Sequence, residues 1–219
     1  KKIKILGNLK FSEMKNITQK KISNDFKKFS KNKKVWCASS THDGEELIAA
    51  QVHNKIKKKF KNLLTIIIPR HINRTDKIMN EIQDLGLMVH IHSSKIKIKK
   101  NTDIYLVDTY GETENFFKSC KTVFLGGSLI RHGGQNPLEP TRLGCKVIHG
   151  PHIDNFKEIY KLLDKKNIAV EVNNLAQLSS KVSIILKKNI NSANLINELK
   201  KLGNKILYST IIEIKKFIN

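Results

Sequence analysis

Four short stretches of this 219-residue sequence carry residue types suited to gripping a phosphate-bearing ligand. The longest is Gly126-Gly127-Ser128-Leu129-Ile130-Arg131-His132-Gly133-Gly134-Gln135-Asn136-Pro137-Leu138-Glu139-Pro140. Its glycine pair, Gly126 and Gly127, lets the backbone press against a ligand, and Ser128 adds a hydroxyl. Asn136 precedes Pro137, which suits the first position of a helix, and the free amides and dipole there hold a phosphate or carboxylate. Glu139, one turn in, is placed to accept hydrogen bonds from the two hydroxyls of a ribose. A second stretch, Pro69-Arg70-His71, offers a planar guanidinium that matches phosphate oxygens two at a time, which a lysine cannot do. In Asp108-Thr109-Tyr110-Gly111-Glu112, Gly111 permits close backbone approach and Glu112 opens a helix. The fourth, Ser39-Ser40-Thr41-His42-Asp43-Gly44-Glu45-Glu46, reads either as an anion-facing turn or simply as a capped helix start with acidic first-turn residues. No Gly-Lys-Ser follows the glycines, and the first strand-to-helix turn lacks a dinucleotide fingerprint, so neither of those phosphate loops is present.

These stretches need elements to hold them together. Short β-branched runs at 35–39, 63–68, 89–92, 103–107, 122–125 and 146–148, with a weaker one at 169–172, predict strands. Several are apolar on both faces, as a sheet covered by helices on both sides requires. Helical stripes at 45–59, 76–85, 155–163 and 175–186 alternate with them, so the pattern predicts an α/β fold built on a parallel sheet. The tail, 193–218, reads as helix interrupted at Gly203. Each of the four stretches follows a strand, and ligands bind at the carboxyl ends of strands in such sheets. Of the 11 glycines, Gly126, Gly127, Gly133, Gly134, Gly144 and Gly150 crowd into one region, which marks it as the place where backbone freedom is needed.

Composition bounds the rest. The 41 Lys and Arg against 19 Asp and Glu give a net charge of +22, which suits a polyanionic partner or simply reflects the lysine- and isoleucine-rich usage of an AT-rich genome. A specific nucleic-acid module is disfavoured, since aromatics are only 6% and no stacking platform or recognition helix is visible. The longest apolar runs fall far short of the roughly 20 residues that a membrane-spanning helix needs, and no secretory leader opens the chain. It begins Lys1-Lys2-Ile3, without an initiator Met, as a piece of a longer protein would. Cys37, Cys120 and Cys145 are far apart and odd in number, which suits reduced thiols, and no metal-ligand spacing appears.

The ordered set of motifs resembles the C-terminal half of the 3-deoxy-D-manno-octulosonic acid (Kdo) transferases. The resemblance rests on the run from Phe124 through Pro140, on Gly150-Pro151-His152, Asn155-Phe156 and Gly7-Asn8-Leu9-Lys10-Phe11, and on the three shorter stretches above. It covers roughly residues 5 to 165. It implies the C-terminal half of a GT-B glycosyltransferase, a Rossmann-like parallel sheet with helices on both faces. The implied boundaries are a linker or edge segment over 1–12, a sugar-nucleotide-binding domain over 13–190, and C-terminal helix over 191–219. It further implies transfer of Kdo from CMP-Kdo to lipid A precursor at the cytoplasmic face of the inner membrane. The CMP-Kdo site would comprise Arg70, His71, Gly111, Glu112, Gly126, Gly127, Ser128, Asn136 and Glu139. A partner N-terminal GT-B domain would supply the general base and the membrane anchor, with the anionic membrane surface as a further partner and no cofactor or metal. Gln135 departs from the histidine common in the family and cannot titrate near neutrality. Rival readings are a UDP-sugar transferase or epimerase domain, a nucleotide-binding regulatory domain, and a basic nucleic-acid-binding module.

Overall fold

The computed structural model describes residues 6–12, 22–188 and 192–218. The expected strands are all present: β1 (Lys34–Thr41), β2 (Leu63–Pro69), β3 (Val89–Ile91), β4 (Ile104–Leu106), β5 (Thr122–Leu125), β6 (Lys146–His149) and β7 (Ala169–Glu171). They form one seven-stranded sheet in the order β3-β4-β2-β1-β5-β6-β7, and every pairing is parallel. Side chains alternate between its faces with the period of a strand. Val35, Cys37, Leu64, Ile66, Tyr105, Val123 and Val147 go to one apolar cluster, while Trp36, Ala38, Leu63, Ile67, Ile104, Phe124 and Ile148 go to the other.

Helices cover both clusters. The first receives Phe26 of α1 (Asn24–Ser30), Phe116 and Phe117 of α4 (Thr113–Phe117), Leu138 of α5 (Leu138–Arg142), Tyr160 of α6 (Lys157–Lys165) and Leu199 and Ile206 of α8 (Ser192–Ile218). The second is sealed by α2 (Glu45–Lys57), α3 (Thr75–Asp84) and α7 (Leu175–Lys187). Gly203 does not interrupt α8, contrary to the sequence reading. A Cβ there would stand 2.5 Å from the carbonyl oxygen of Phe11, so the glycine serves close approach of residues 9–11 rather than a break. The boundaries expected at 1–12 and 191–219 partly fall on residues 1–5, 191 and 219, which lie outside the described residues, as do 13–21 and 189–190. The three cysteines, distant in sequence, are buried together: the thiols of Cys37 and Cys120 interact, and Cys145 Sγ donates to the carbonyls of Phe117 and Cys120 at 3.2 and 3.3 Å.

The chain runs outward from β1 to one side of the sheet and then returns to lay β5 against β1's other flank. Connections leaving those two strands diverge, which opens a crevice above their carboxyl ends. The opposite end of the sheet is tied shut. Buried His53 of α2 meets Thr65 Oγ1 at 2.9 Å and Asp103 Oδ1 at 3.1 Å, and Asp103 Oδ2 accepts the Met88 amide at 3.0 Å. Burial lowers the pKa of His53 from 6.5. For Asp103, burial acts upward but loses to the His53 hydrogen bond and the Met88 amide, and its pKa is held at about 2.

Both groups bind protons less readily folded than unfolded, so stability falls as pH falls. The decline should begin near 6.5, where an unfolded His53 takes up its proton, and continue through 3.8 towards about 2 as Asp103 is neutralised. Asp103→Asn should remove the lower part of this slope and cost about 1–2 kcal/mol at neutral pH after allowance for solvent screening, read from melting temperature against pH. An unchanged acid profile would contradict the assignment.

Candidate functional site

The crevice is built from two turns in contact. At the end of β1 a bulge between Ser39 and Thr41 puts Ser40 at a φ of 54°, a left-handed conformation that a non-glycine residue adopts only when its surroundings demand it. The turn after β5 lies directly against it: the Gly126 amide donates to Ser39 O at 2.9 Å. A Cβ at Gly126 would stand 2.5 Å from both Ser40 O and Thr41 Cα. Gly127, at a φ of 65°, faces the His42 ring, which a Cβ would meet at 3.2 Å. The glycine pair thus presses on the β1 turn.

Below this contact lies a carboxylate. Glu45 of α2 is fully buried, and four main-chain amides donate to it: His42 at 3.0 Å and Gly127 at 2.7 Å to Oε2, Leu129 at 3.1 Å and Ser128 at 3.3 Å to Oε1. The Ser128 hydroxyl, expected to face a ligand, is internal instead. It is fully buried, donates to Leu125 O at 2.5 Å and accepts the Gly150 amide at 2.8 Å. The hydroxyl is engaged within the protein because the β5 and β6 ends pack closely, and a Cβ on Gly150 would overlap Ser128 O at 2.1 Å.

Above the contact lies a rim of one arginine and three imidazoles. Arg70 and His71 follow β2 and are exposed, and the Arg70 amide extends the ladder to Thr41 O at 2.9 Å. His42 stacks on His132 at 4.2 Å between ring centroids and meets His71 edge-on at 5.8 Å. Its Nε2 is buried without a hydrogen-bond partner. Burial, then the fields of His132, His71, Arg70 and Arg74, push the His42 pKa down to about 4. Burial is the larger cause and keeps the ring neutral, while the smaller push from Arg70 and Arg74 marks the positive field at this edge. Arg74 is already spent, pairing with Asp43 at 2.6 Å and with both oxygens of buried Glu46 at 3.2 Å, whereas no such fork to Arg70 or His71 is found among the described residues. Burial raises the Glu46 pKa, which the Arg74 fork partly offsets.

The β4-end loop adjoins the β2-end loop, because the two strands are neighbours. Glu112 there accepts from Thr109 Oγ1 at 2.6 Å and meets His92 Nε2 at 3.0 Å, while His92 Nδ1 meets Tyr105 Oη at 2.8 Å. Gly111 is exposed at a φ of 83°. On the other flank, residues 132–136 fold back over β5. The Gly134 amide donates to Gly127 O at 2.8 Å, Asn155 holds the carbonyls of His132 and Gly133 at 3.4 and 3.0 Å, and Tyr160 Oη donates to Gln135 O at 2.9 Å. Asn136 Oδ1 accepts the Leu138 amide at 3.1 Å, and Glu139 is half-buried in α5. That helix is short, with five residues, and Pro137 stands at its start. Among the described residues, no group of three or more His, Cys, Asp and Glu side chains is disposed to hold a metal ion. Arg70 and His71 therefore stand above the buried Gly126–Gly127 contact at the carboxyl ends of the strands, with Gly111 and Glu112 on one side and Asn136 and Glu139 on the other. Sequence reading quotes His42, Glu45 and His132 inside its stretches without giving any of them a role, and does not single out His92. Lone histidines in loops carry no pattern, and an acid at a helix start looks like a partner for the helix dipole.

Fold and crevice are those of the C-terminal, Rossmann-like half of a GT-B glycosyltransferase. No family model matches the chain. Among curated proteins it is 33% identical over 176 residues to the 3-deoxy-D-manno-octulosonic acid transferase of Haemophilus influenzae, a match covering 80% of this chain and 41% of that protein. The Aquifex aeolicus transferase of the same name is 30% identical over 165 residues, covering 74% of this chain and 45% of that one. The C-terminal CMP-Kdo binding domain of WaaA from Acinetobacter baumannii superposes with a TM-score of 0.72 at 27% identity, over 82% of this chain and 91% of that domain. A putative UDP-N-acetylglucosamine 2-epimerase from Listeria monocytogenes shares the fold alone, with a TM-score of 0.58 at 13% identity over 96% of this chain and 52% of that one. The chain is thus a relative of the Kdo transferases, spanning less than half of each, and its counterpart is the C-terminal domain.

The rim makes a direct prediction. Followed by NMR through an acid titration, the His42 ring should stay neutral until about pH 4, and His132→Ala should raise that midpoint by removing a positive neighbour. A His42 midpoint at the ordinary 6.5 would contradict the electrostatics described.

Proposed function

We propose that this chain is the CMP-Kdo-binding half of a glycosyltransferase that moves Kdo onto a lipid A precursor in lipopolysaccharide synthesis. The observation that carries the reading is the rim of Arg70, His71, His42 and His132 above the β1–β5 crevice, in a chain related to the Kdo transferases. CMP-Kdo bears two anions, the phosphodiester and the sugar carboxylate, and such a rim offers one guanidinium and several imidazole donors to them. The same reading gives Glu112 and Glu139 the part of accepting hydrogen bonds from hydroxyls of the nucleotide or sugar.

The residues then act electrostatically. As the bond between Kdo and phosphate breaks, negative charge grows on the departing CMP while the sugar becomes cationic at its anomeric carbon. Arg70, stiffened by Pro69, holds two phosphate oxygens and stabilises that charge, an effect strongest where the donors are already in place. His132 and His71 add donors from the flanks. The general base and the acceptor site belong, on this reading, to an N-terminal GT-B domain. The net charge of +22 would hold the domain near an anionic inner-membrane surface, with up to about 1 kcal/mol for each well-placed lysine or arginine. No helix among the described residues is long and apolar enough to cross a membrane.

The competing donor is a UDP-sugar, since the fold is shared with a putative UDP-N-acetylglucosamine 2-epimerase. Thermal-shift measurements separate the two: CMP should raise the melting temperature and UDP should not, while preference for UDP would overturn the donor assignment. In a CMP-Kdo titration, Arg70→Ala should weaken binding about tenfold to a hundredfold, the worth of one or two charged hydrogen bonds. Unchanged affinity would remove Arg70 from the site.

A further inference from the structure

We infer that Glu45 is the positioning residue of this site, a carboxylate of the protein's own placed where the glycine turn would otherwise receive a ligand's phosphate. The turn after β5 has the form of an anion nest: Gly127 takes a left-handed φ of 65°, and the successive amides of Gly127, Ser128 and Leu129 all point to one spot. That spot is filled. Both oxygens of Glu45 lie in it, at 2.7, 3.3 and 3.1 Å from those amides, and the His42 amide adds a fourth bond at 3.0 Å. A carboxylate that is fully buried would be costly to hold without donors, and these amides supply them.

Three consequences follow for the site, and they rest on the donor-binding reading above. The amides of 127–129 are consumed by the protein, so the donor's phosphate binds farther out, on the side chains of Arg70, His71 and His132. Glu45 also joins turns from two different strands, since its Oε2 accepts both from His42 after β1 and from Gly127 after β5. The spacing between His42 and His132, stacked at 4.2 Å, depends on that join. Gly126 is the counterpart of this device: a Cβ there would stand 2.7 Å from Glu45 Oε2. The role is one of position, because Glu45 is shut away from solvent and cannot touch the ligand.

The test compares Glu45→Gln and Glu45→Asp with the unaltered chain and with Asp103→Asn, which perturbs the opposite end of the sheet. Glutamine turns one acceptor into a donor facing other donors, and aspartate keeps the charge but falls short by one methylene. Two readouts are taken on folded protein: hydrogen exchange of the Gly127, Ser128 and Leu129 amides, and CMP affinity by titration. The expected result is exchange at least tenfold faster at those amides and CMP binding at least tenfold weaker in both Glu45 variants. Asp103→Asn should change neither. If the amides stay protected in whichever Glu45 variant folds, or if they open while CMP binds as tightly as before, the inference is overturned. Should the unaltered chain fail to bind CMP, the donor reading falls, and the exchange measurement alone decides whether Glu45 holds the turn.

Discussion

Between the ends of β1 and β5 there is no room for one extra carbon atom. Gly126 lies so close to Ser40 and Thr41 that a methyl group would strike their backbone, and beneath the contact four amides converge on Glu45. This close approach decides how the rest of the crevice is arranged. It draws the His42 and His132 rings into a stack, and it forces Ser40 into its left-handed conformation. Local strain of this kind persists only where surrounding packing over-determines it, and here two apolar clusters clamp the sheet from both faces.

Electrostatics at the rim follows from what is paired and what is left over. The acids nearest the crevice are occupied: Glu46 and Asp43 with Arg74, Glu45 with backbone amides, and Glu112 with Thr109 and His92. Arg70 is left at the open edge beside the imidazoles, and His42, kept from its proton until about pH 4 by burial first and by its neighbours second, stays neutral among them. On the proposed reading, the charge of +22, carried mostly by lysines, draws the domain towards an anionic surface, whereas selectivity falls to one arginine and the imidazoles. The two scales of charge serve different ends, approach and grip.

Much of the fold was legible in the sequence because β-branched runs and helical stripes answer to burial on one or both faces. β5 was placed at Thr122–Leu125 to the residue, and β1 grew only by flanking residues that continue its ladder. What failed was local meaning that depends on distant contacts. Gly203 looked like a helix break, yet it accommodates the Phe11 carbonyl from the other end of the chain. Ser128 looked available, yet Gly150 claims its hydroxyl. Helix α1, short and lysine-rich, went unread, although Ser23 caps it and Phe26 anchors it in the core. Arg70, His71 and Glu112 were legible as candidates because type and strand-end position suffice to nominate them. Glu45 was not, since only the folded chain brings the amides of residues 127–129 to it.

The central claim is that the strand-end turns form one nucleotide-binding rim. Chemical-shift mapping with CMP on isotopically labelled protein tests it most directly. The largest changes should fall together on Arg70, His71, Gly111, Glu112, His132 and Asn136, with the Gly127 to Leu129 amides moving less because Glu45 already occupies them. Changes clustered instead at the His53–Asp103 end of the sheet, or spread evenly over surface lysines, would contradict the account.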